Sequence, residues 1–217
     1  MDDIQFHPTL DSQACQDWSQ QVIEAQAHWT HRHPSVPFYT LGMAAYLDSA
    51  KTAAPSSATY QQRILRDHSN ALLLARFTPL YQQLCHTFAT LYGVQTHLIA
   101  DQAAVPGFHI HLPHPVFAND VASIHRDLQF QQVFPHESLA PHQVLTFTLP
   151  ISLPPGSGLN LWRNSDKSFH PYHTGQLVIH SGLQTHQAVL RCAGSVPPRI
   201  ALQGHAVLRE KSIELYW

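Results

Sequence analysis

Charge is what this sequence has least of. Only 12% of its 217 residues are Asp, Glu, Lys or Arg, and the net charge is −2 with histidine neutral. No basic run stands out. A nucleic-acid partner leaves a positive footprint, so DNA or RNA binding is set aside. Long apolar runs are missing too, and none approaches the roughly 20 residues of a membrane helix. The opening Met-Asp-Asp-Ile-Gln lacks the positive and apolar stretches of a signal peptide. Cysteine is scarce: Cys15, Cys85 and Cys192 are widely spaced and form no CxxC pair. That argues against a disulfide framework or zinc knuckle and suits a reducing cytoplasm. Apolar residues make up 44% of the chain, enough for one domain, 1–217, with a sizeable core. Histidine is the abundance, 18 against 12 Lys plus Arg. Metal chemistry is one explanation. Polar surface use is the other, and it covers His136, His142, His170 and His173 in Pro-flanked loops.

Residues 11–29 read as a helix, because Cys15, Trp18, Val22, Ala25 and Trp29 form one helical stripe. Asp11 or Ser12 is the expected N-cap. Residues 38–47 read as a packed turn and helix, and residues 51–58 as a loop. A second helix is expected over 70–92, with Leu73, Phe77, Leu80, Leu84, Phe88 and Leu91 on its stripe. Thr78-Pro79 either kinks it or starts a new helix, and Gly93 ends it. From Gly93 onward the texture changes, and eight of the nine glycines lie there. Candidate strands cover 96–99, 107–112, 122–133, 143–151, 159–162, 175–180, 186–191 and 199–208, at the spacing of a sandwich or barrel. Residues 94–217 thus read as an all-β unit, with the helices of 1–93 as its support.

Inside the expected strand 122–133, His125 and Asp127 stand two apart and share a face. They supply two-thirds of the two-His, one-carboxylate set that holds non-haem Fe(II). By itself the pair is weak, since roughly one His-x-Asp is expected by chance in so His-rich a chain. The C-terminal third of the chain gives it weight. There a glycine-led apolar run, 175–180, leads through a short turn to His186, and Arg199 opens the next strand.

His-x-Asp, a distal His and an Arg about one strand pair later resemble the Fe(II)/2-oxoglutarate-dependent oxygenase superfamily. The strand Gly158-Leu-Asn-Leu-Trp162 is similar to its pattern as well. The likeness covers roughly 105–208. It implies an α+β chain with a double-stranded β-helix, a jelly-roll barrel, behind N-terminal supporting helices. It implies that His125, Asp127 and His186 bind Fe(II), and that Arg199 holds the distal carboxylate of 2-oxoglutarate. The chemistry of the groups agrees. Two imidazoles and a carboxylate leave three octahedral positions, two for a chelating keto-acid and one for dioxygen. Arginine offers a charged planar fork that matches a carboxylate. The implied reaction couples decarboxylation of 2-oxoglutarate to succinate with oxidation of a small molecule, hydroxylation by default. Relatives that halogenate have a small residue at the Asp127 position, so Asp127 argues for oxygen transfer.

Some positions depart from the pattern. Ala201 stands where many relatives have Ser or Thr beside the arginine. Gln203 and His205 share the Arg199 face by alternation, and Gln203 becomes the candidate second cosubstrate group. His180 is the alternative to His186 as ligand, and His205 a stray one. His111, Gln129, Gln131, Thr146, Asn160 and Trp162 are candidate substrate-facing groups on inward faces, against the plain reading of core hydrogen bonds. His109 reads as the outward polar residue of a half-exposed strand. Two rival functions remain open: a cupin-like metal dioxygenase or isomerase without 2-oxoglutarate, and a non-catalytic jelly-roll binding module. The substrate and the oligomeric state are not readable.

Overall fold

The computed structural model describes residues 4–49 and 59–217; the loop expected at 51–58 lies outside them. Helix α1, Ser12–Glu24, starts where Asp11 accepts a hydrogen bond from the Ala14 N–H at 2.8 Å. It stops five residues before Trp29. The chain tightens into a 3-10 turn over Gln26–His28, and the Trp29 indole folds back to donate to the Val22 carbonyl at 3.0 Å. Helix α3, Arg63–Tyr92, begins earlier than its apolar stripe suggests. Its kink falls at Phe77, two residues before Pro79, which cannot donate to the helical ladder. Gly93 ends it in the left-handed conformation, φ 69°, that glycine adopts without steric cost.

In the first half one expectation fails and one strand is unforeseen. Residues 38–47 hold a strand, β3 (Phe38–Leu41), and only a single helical turn, α2 (Ala45–Asp48). Ile4–Pro8 forms an unforeseen strand, β1, on the sheet edge. Short apolar runs of this kind carry no period that separates strand from helix.

Among the described residues the major sheet has nine strands. Its path runs from β1 through β9 (Gln176–Ser181), β6 (Val144–Ser152), β11 (Arg199–Leu208) and β5 (Gly107–His111) to β3 and β2 (Thr30–His31). Strand β12 (Ser212–Tyr216) pairs with β11 and carries β4 (Gln95–Leu98) in parallel. A minor sheet orders β10 (His186–Val189), β7 (Gly158–Arg163) and β8 (Asp166–Pro171). His170 therefore lies on a strand rather than in a loop.

Alternation along the major strands explains the layers. Leu145, Phe147 and Leu149 of β6, Phe108 and Ile110 of β5, and Ile200 and Leu202 of β11 share one cluster with Leu73, Phe77, Leu80, Leu84 and Phe88 of α3. Each such buried side chain contributes about 1.5–3 kcal/mol. The residues between them, Thr146, Thr148, His109, His111, Arg199 and Gln203, line a cavity together with Leu159, His186 and Ala188 of the minor sheet. Across the gap Leu159 and Leu161 meet Val178. The sheet is thus apolar towards the helices and polar towards its partner sheet.

Candidate active site

The expected strand over 122–133 is not one. His125 makes an isolated antiparallel bridge to His186, with N–H···O distances of 3.0 and 2.9 Å. The Asp127 N–H then donates to the Gly182 carbonyl at 2.7 Å, and Phe130–Val133 is one helical turn, α4. The peptide is pinned at two points rather than along a ladder. Gly182 permits the approach, because a Cβ there would meet Thr146 Oγ1 at 2.9 Å and Asp127 Cβ at 3.4 Å.

These pins bring His125, Asp127 and His186 together, with one ligand atom of each within 4.8 Å of the others. The Nε2 atoms of His125 and His186 stand 3.5 and 3.4 Å from the two Asp127 oxygens. Each imidazole turns its Nδ1 to a backbone carbonyl, Ser123 at 2.9 Å and Gln184 at 2.8 Å. A carbonyl only accepts, so those contacts call for Nδ1–H and leave both Nε2 lone pairs facing the centre. Asp127 and His186 are buried; His125 stands at the surface. Burial would raise the Asp127 pKa, but the surrounding imidazoles of His125, His205 and His186 and the hydrogen bond from Thr146 hold it well below the usual carboxylate range. Burial lowers the His186 pKa, partly offset by Asp127.

A closed ring of hydrogen bonds fixes the carboxylate. Thr146 donates to Asp127 Oδ2. The Gln129 amide donates to Asp127 Oδ1 at 3.1 Å and reaches His205 Nε2 at 2.9 Å, while His205 Nδ1 meets Thr146 Oγ1 at 3.2 Å. Donor and acceptor parity sets every proton: His205 accepts at Nε2 and so donates from Nδ1. His205 is thereby occupied behind the centre. His180 lines the same cavity with its Nδ1 3.0 Å from the Ser181 carbonyl, and burial and the adjacent His186 push its pKa down to about 3. Among the described residues, the converging group contains His186 and not His180.

At the other end of the cavity lies Arg199, 2% exposed, with its Nε lacking a hydrogen-bond partner and no ion pair among the described residues. Burial lowers its pKa, and Tyr172 and Cys192 are the groups that favour its charge. Tyr172, hydrogen-bonded to Thr148 and pushed up to about 12 by burial, lines the cavity beside it, as does Thr148. A buried guanidinium without an anion is costly. These three groups suit a carboxylate, and two of them, Tyr172 and Thr148, went unseen in the sequence.

The remaining wall is aromatic and histidine-rich. His111 stacks on Phe38 at 4.5 Å and 6°, and its Nδ1 has no partner. His109 is buried, not half-exposed, and hydrogen-bonds to the Tyr46 hydroxyl and to Gln203. Burial first, then the Arg199 and Arg32 charges, lower its pKa to about 3, so it is neutral. Gln203 lines the cavity as expected, and Gln131 stands exposed at its mouth. Asn160 and Trp162 do not. Leu159 takes the inward face of β7, so Asn160 turns outward to Gln187 at 3.1 Å, and Trp162 lies under Lys167 at 5.5 Å. The whole cavity encloses about 690 Å³ between the two sheets.

No family model matches the chain, and no curated protein matches it in sequence. Solved structures do match in three dimensions. An N-substituted L-amino acid dioxygenase from Burkholderia ambifaria AMMD, in complex with alpha-KG, superposes with a TM-score of 0.64 at 11% identity, over 99% of this chain and 86% of that one. The epimerase SnoN, in complex with Fe3+, alpha ketoglutarate and nogalamycin RO, gives 0.53 at 13% identity, over 99% and 94%. The fold is a double-stranded β-helix. At such identities the likeness carries the fold alone. Within this double-stranded β-helix, the triad and Arg199 share one cavity between the sheets.

Proposed function

We propose that the chain is a single-domain, non-haem Fe(II)- and 2-oxoglutarate-dependent oxygenase acting on a small molecule. One observation carries the reading: two imidazole Nε2 atoms and a clamped carboxylate converge in the same cavity as a buried arginine that has no ion pair among the described residues. His125, Asp127 and His186 would hold the iron, and Arg199, Tyr172 and Thr148 the distal carboxylate of 2-oxoglutarate. Two structures of the same fold hold alpha-ketoglutarate, which supports the assignment. Iron, 2-oxoglutarate and dioxygen together supply the oxidising power for attack on an unactivated C–H bond, with succinate and carbon dioxide as coproducts.

The protein's share is orientation. The Nδ1–H contacts to Ser123 and Gln184 fix both imidazole rings. The Gln129–His205–Thr146 ring fixes the Asp127 oxygens and keeps them anionic. Arg199 would orient the cosubstrate carboxylate by its charge and its planar fork of N–H donors. Apolar Leu159, Ala188 and Leu190 exclude water from the inner wall. No helix among the described residues is long and apolar enough to cross a membrane, and the three cysteines are unpaired, which supports our reading of a cytoplasmic enzyme.

Arg199→Met tests the assignment. Calorimetry on the iron-loaded protein should show 2-oxoglutarate affinity falling by at least 100-fold, with iron affinity kept. Unchanged 2-oxoglutarate affinity would favour a metal dioxygenase or isomerase that uses the same ligands without this cosubstrate.

A further inference from the structure

Beyond the triad the cavity opens through Val36, Phe38, Val116, Phe117, Val121 and Leu128. Val121 and Leu128 are 46% and 49% exposed, and the neighbouring Ile124 is 58% exposed. The loop that presents His125 and Asp127 thus carries an apolar lip. Singly exposed apolar residues need no explanation, but two lining the mouth of a cavity, with Ile124 exposed on the same loop, mark a surface that is covered in use.

Among the polar groups of this outer part, Tyr46 and His109 are joined by a hydrogen bond. His109 is neutral, so one ring nitrogen donates and the other accepts. The Tyr46 hydroxyl meets Nε2 of His109. Between a phenol and a neutral imidazole the stronger hydrogen bond runs from the phenol O–H to the ring nitrogen, so Nε2 is the acceptor and Tyr46 spends its hydroxyl proton on it. The phenol oxygen keeps its lone pairs, and Tyr46 lines the cavity. It offers an acceptor and no donor.

Charge gives the third constraint. Among the described residues, Asp127 is the only carboxylate lining the cavity, and Arg126 and Arg199 are the only permanent cations. With the site loaded, the ferrous ion and Arg199 match Asp127 and the 2-oxoglutarate dianion in charge. Arg126 is at the surface, its Nε bonded to Thr185 at 3.1 Å. A buried cationic group on a substrate would find no counter-charge.

We propose that the substrate is an uncharged molecule with an apolar body of aromatic or alicyclic kind, which gives a hydrogen bond from a hydroxyl or N–H group to Tyr46. This deepens the oxygenase reading and rests on it. A cavity of this size holds a ligand of roughly drug-like volume beside the cosubstrate.

The probes are 2-naphthol, 2-methoxynaphthalene and the 2-naphthylmethylammonium ion, titrated anaerobically by calorimetry into protein loaded with Fe(II) and 2-oxoglutarate. Loading is measured first; if the wild-type protein takes up neither, the oxygenase reading fails and these titrations are not the reason. On loaded protein, 2-naphthol should bind at least tenfold more tightly than its methyl ether, and the ammonium ion most weakly. Tyr46→Phe should bring 2-naphthol down to the level of the ether. Leu128→Asp, at an exposed position, should raise affinity for the ammonium ion at least fivefold by supplying the missing carboxylate. Equal binding of all three probes, tightest binding of the cation, or no binding of any of them overturns the proposal.

Discussion

Thr146→Val is the sharpest perturbation of the metal centre, because it alters hydrogen bonding at almost constant shape. Thr146 is 1% exposed and joins two partners: it donates to Asp127 Oδ2 and accepts from His205 Nδ1. Valine removes both bonds and leaves the His205 N–H, 2% exposed, without an acceptor. An unsatisfied buried donor costs about 1–3 kcal/mol, which metal-free protein should show as lower stability in urea. Loss of a partner that orients a ligand typically weakens metal binding by about 10–100-fold. At 1.4 kcal/mol per tenfold, that is about 1.4–2.8 kcal/mol. Anaerobic competition for Fe(II) against a chromophoric chelator measures it, and Thr146→Ser should restore most of the affinity. A valine variant that binds Fe(II) as tightly as the wild type would refute the idea that the ring positions Asp127.

Other perturbations separate scaffold from site. Arg199→Met should leave the metal-free protein equally or more stable, because it removes a buried cation with no ion pair; a melting point lowered by many degrees would contradict this. His109 and His180, each lowered to about 3, take up protons only on unfolding as pH falls below about 6.5. Stability should therefore fall with pH in that window, by about 2 kcal/mol per residue between pH 6.5 and 5. His109→Gln should make the fall of stability with pH, read from urea unfolding at several pH values, shallower. Asp127 is shifted in the same direction, so its stabilisation is also lost as pH falls, but only lower, below the ordinary carboxylate range. Phe147→Ala, behind the sheet against Phe88 at 5.3 Å, should cost about 3–5 kcal/mol of stability and leave Fe(II) affinity of the folded protein near wild type.

The barrel strands were legible because β6 alternates with period two, β9 and β11 carry short apolar runs, and glycine or proline punctuates them. The helix of α3 was legible from its stripe. The 122–133 segment misled for a physical reason. Its alternation of polar and apolar residues resembles a strand, but its backbone bonds across to neighbouring segments at His125 and Asp127, to His186 and Gly182, and then turns into a helical turn. The triad survived that error, since two pins place the two side chains as well as a ladder would. Asn160 and Trp162 went wrong because polar residues were assigned to the barrel interior, whereas on β7 the leucines face in. Tyr46, Tyr172 and Thr148 reach the cavity from a helical turn, a loop and the far half of β6. No local spacing links them to Arg199, so only the folded chain shows them together.

The central claim is that the triad and Arg199 act as one site for iron and 2-oxoglutarate. Its most direct test is anaerobic addition of Fe(II), then 2-oxoglutarate, monitored by visible absorption and by thermal melting. A weak charge-transfer band should appear only when both are present, be lost in His186→Ala, and accompany stabilisation of about 2.7 kcal/mol at a ligand concentration of 100 Kd. No band, with a melting temperature indifferent to both additions, would contradict the account.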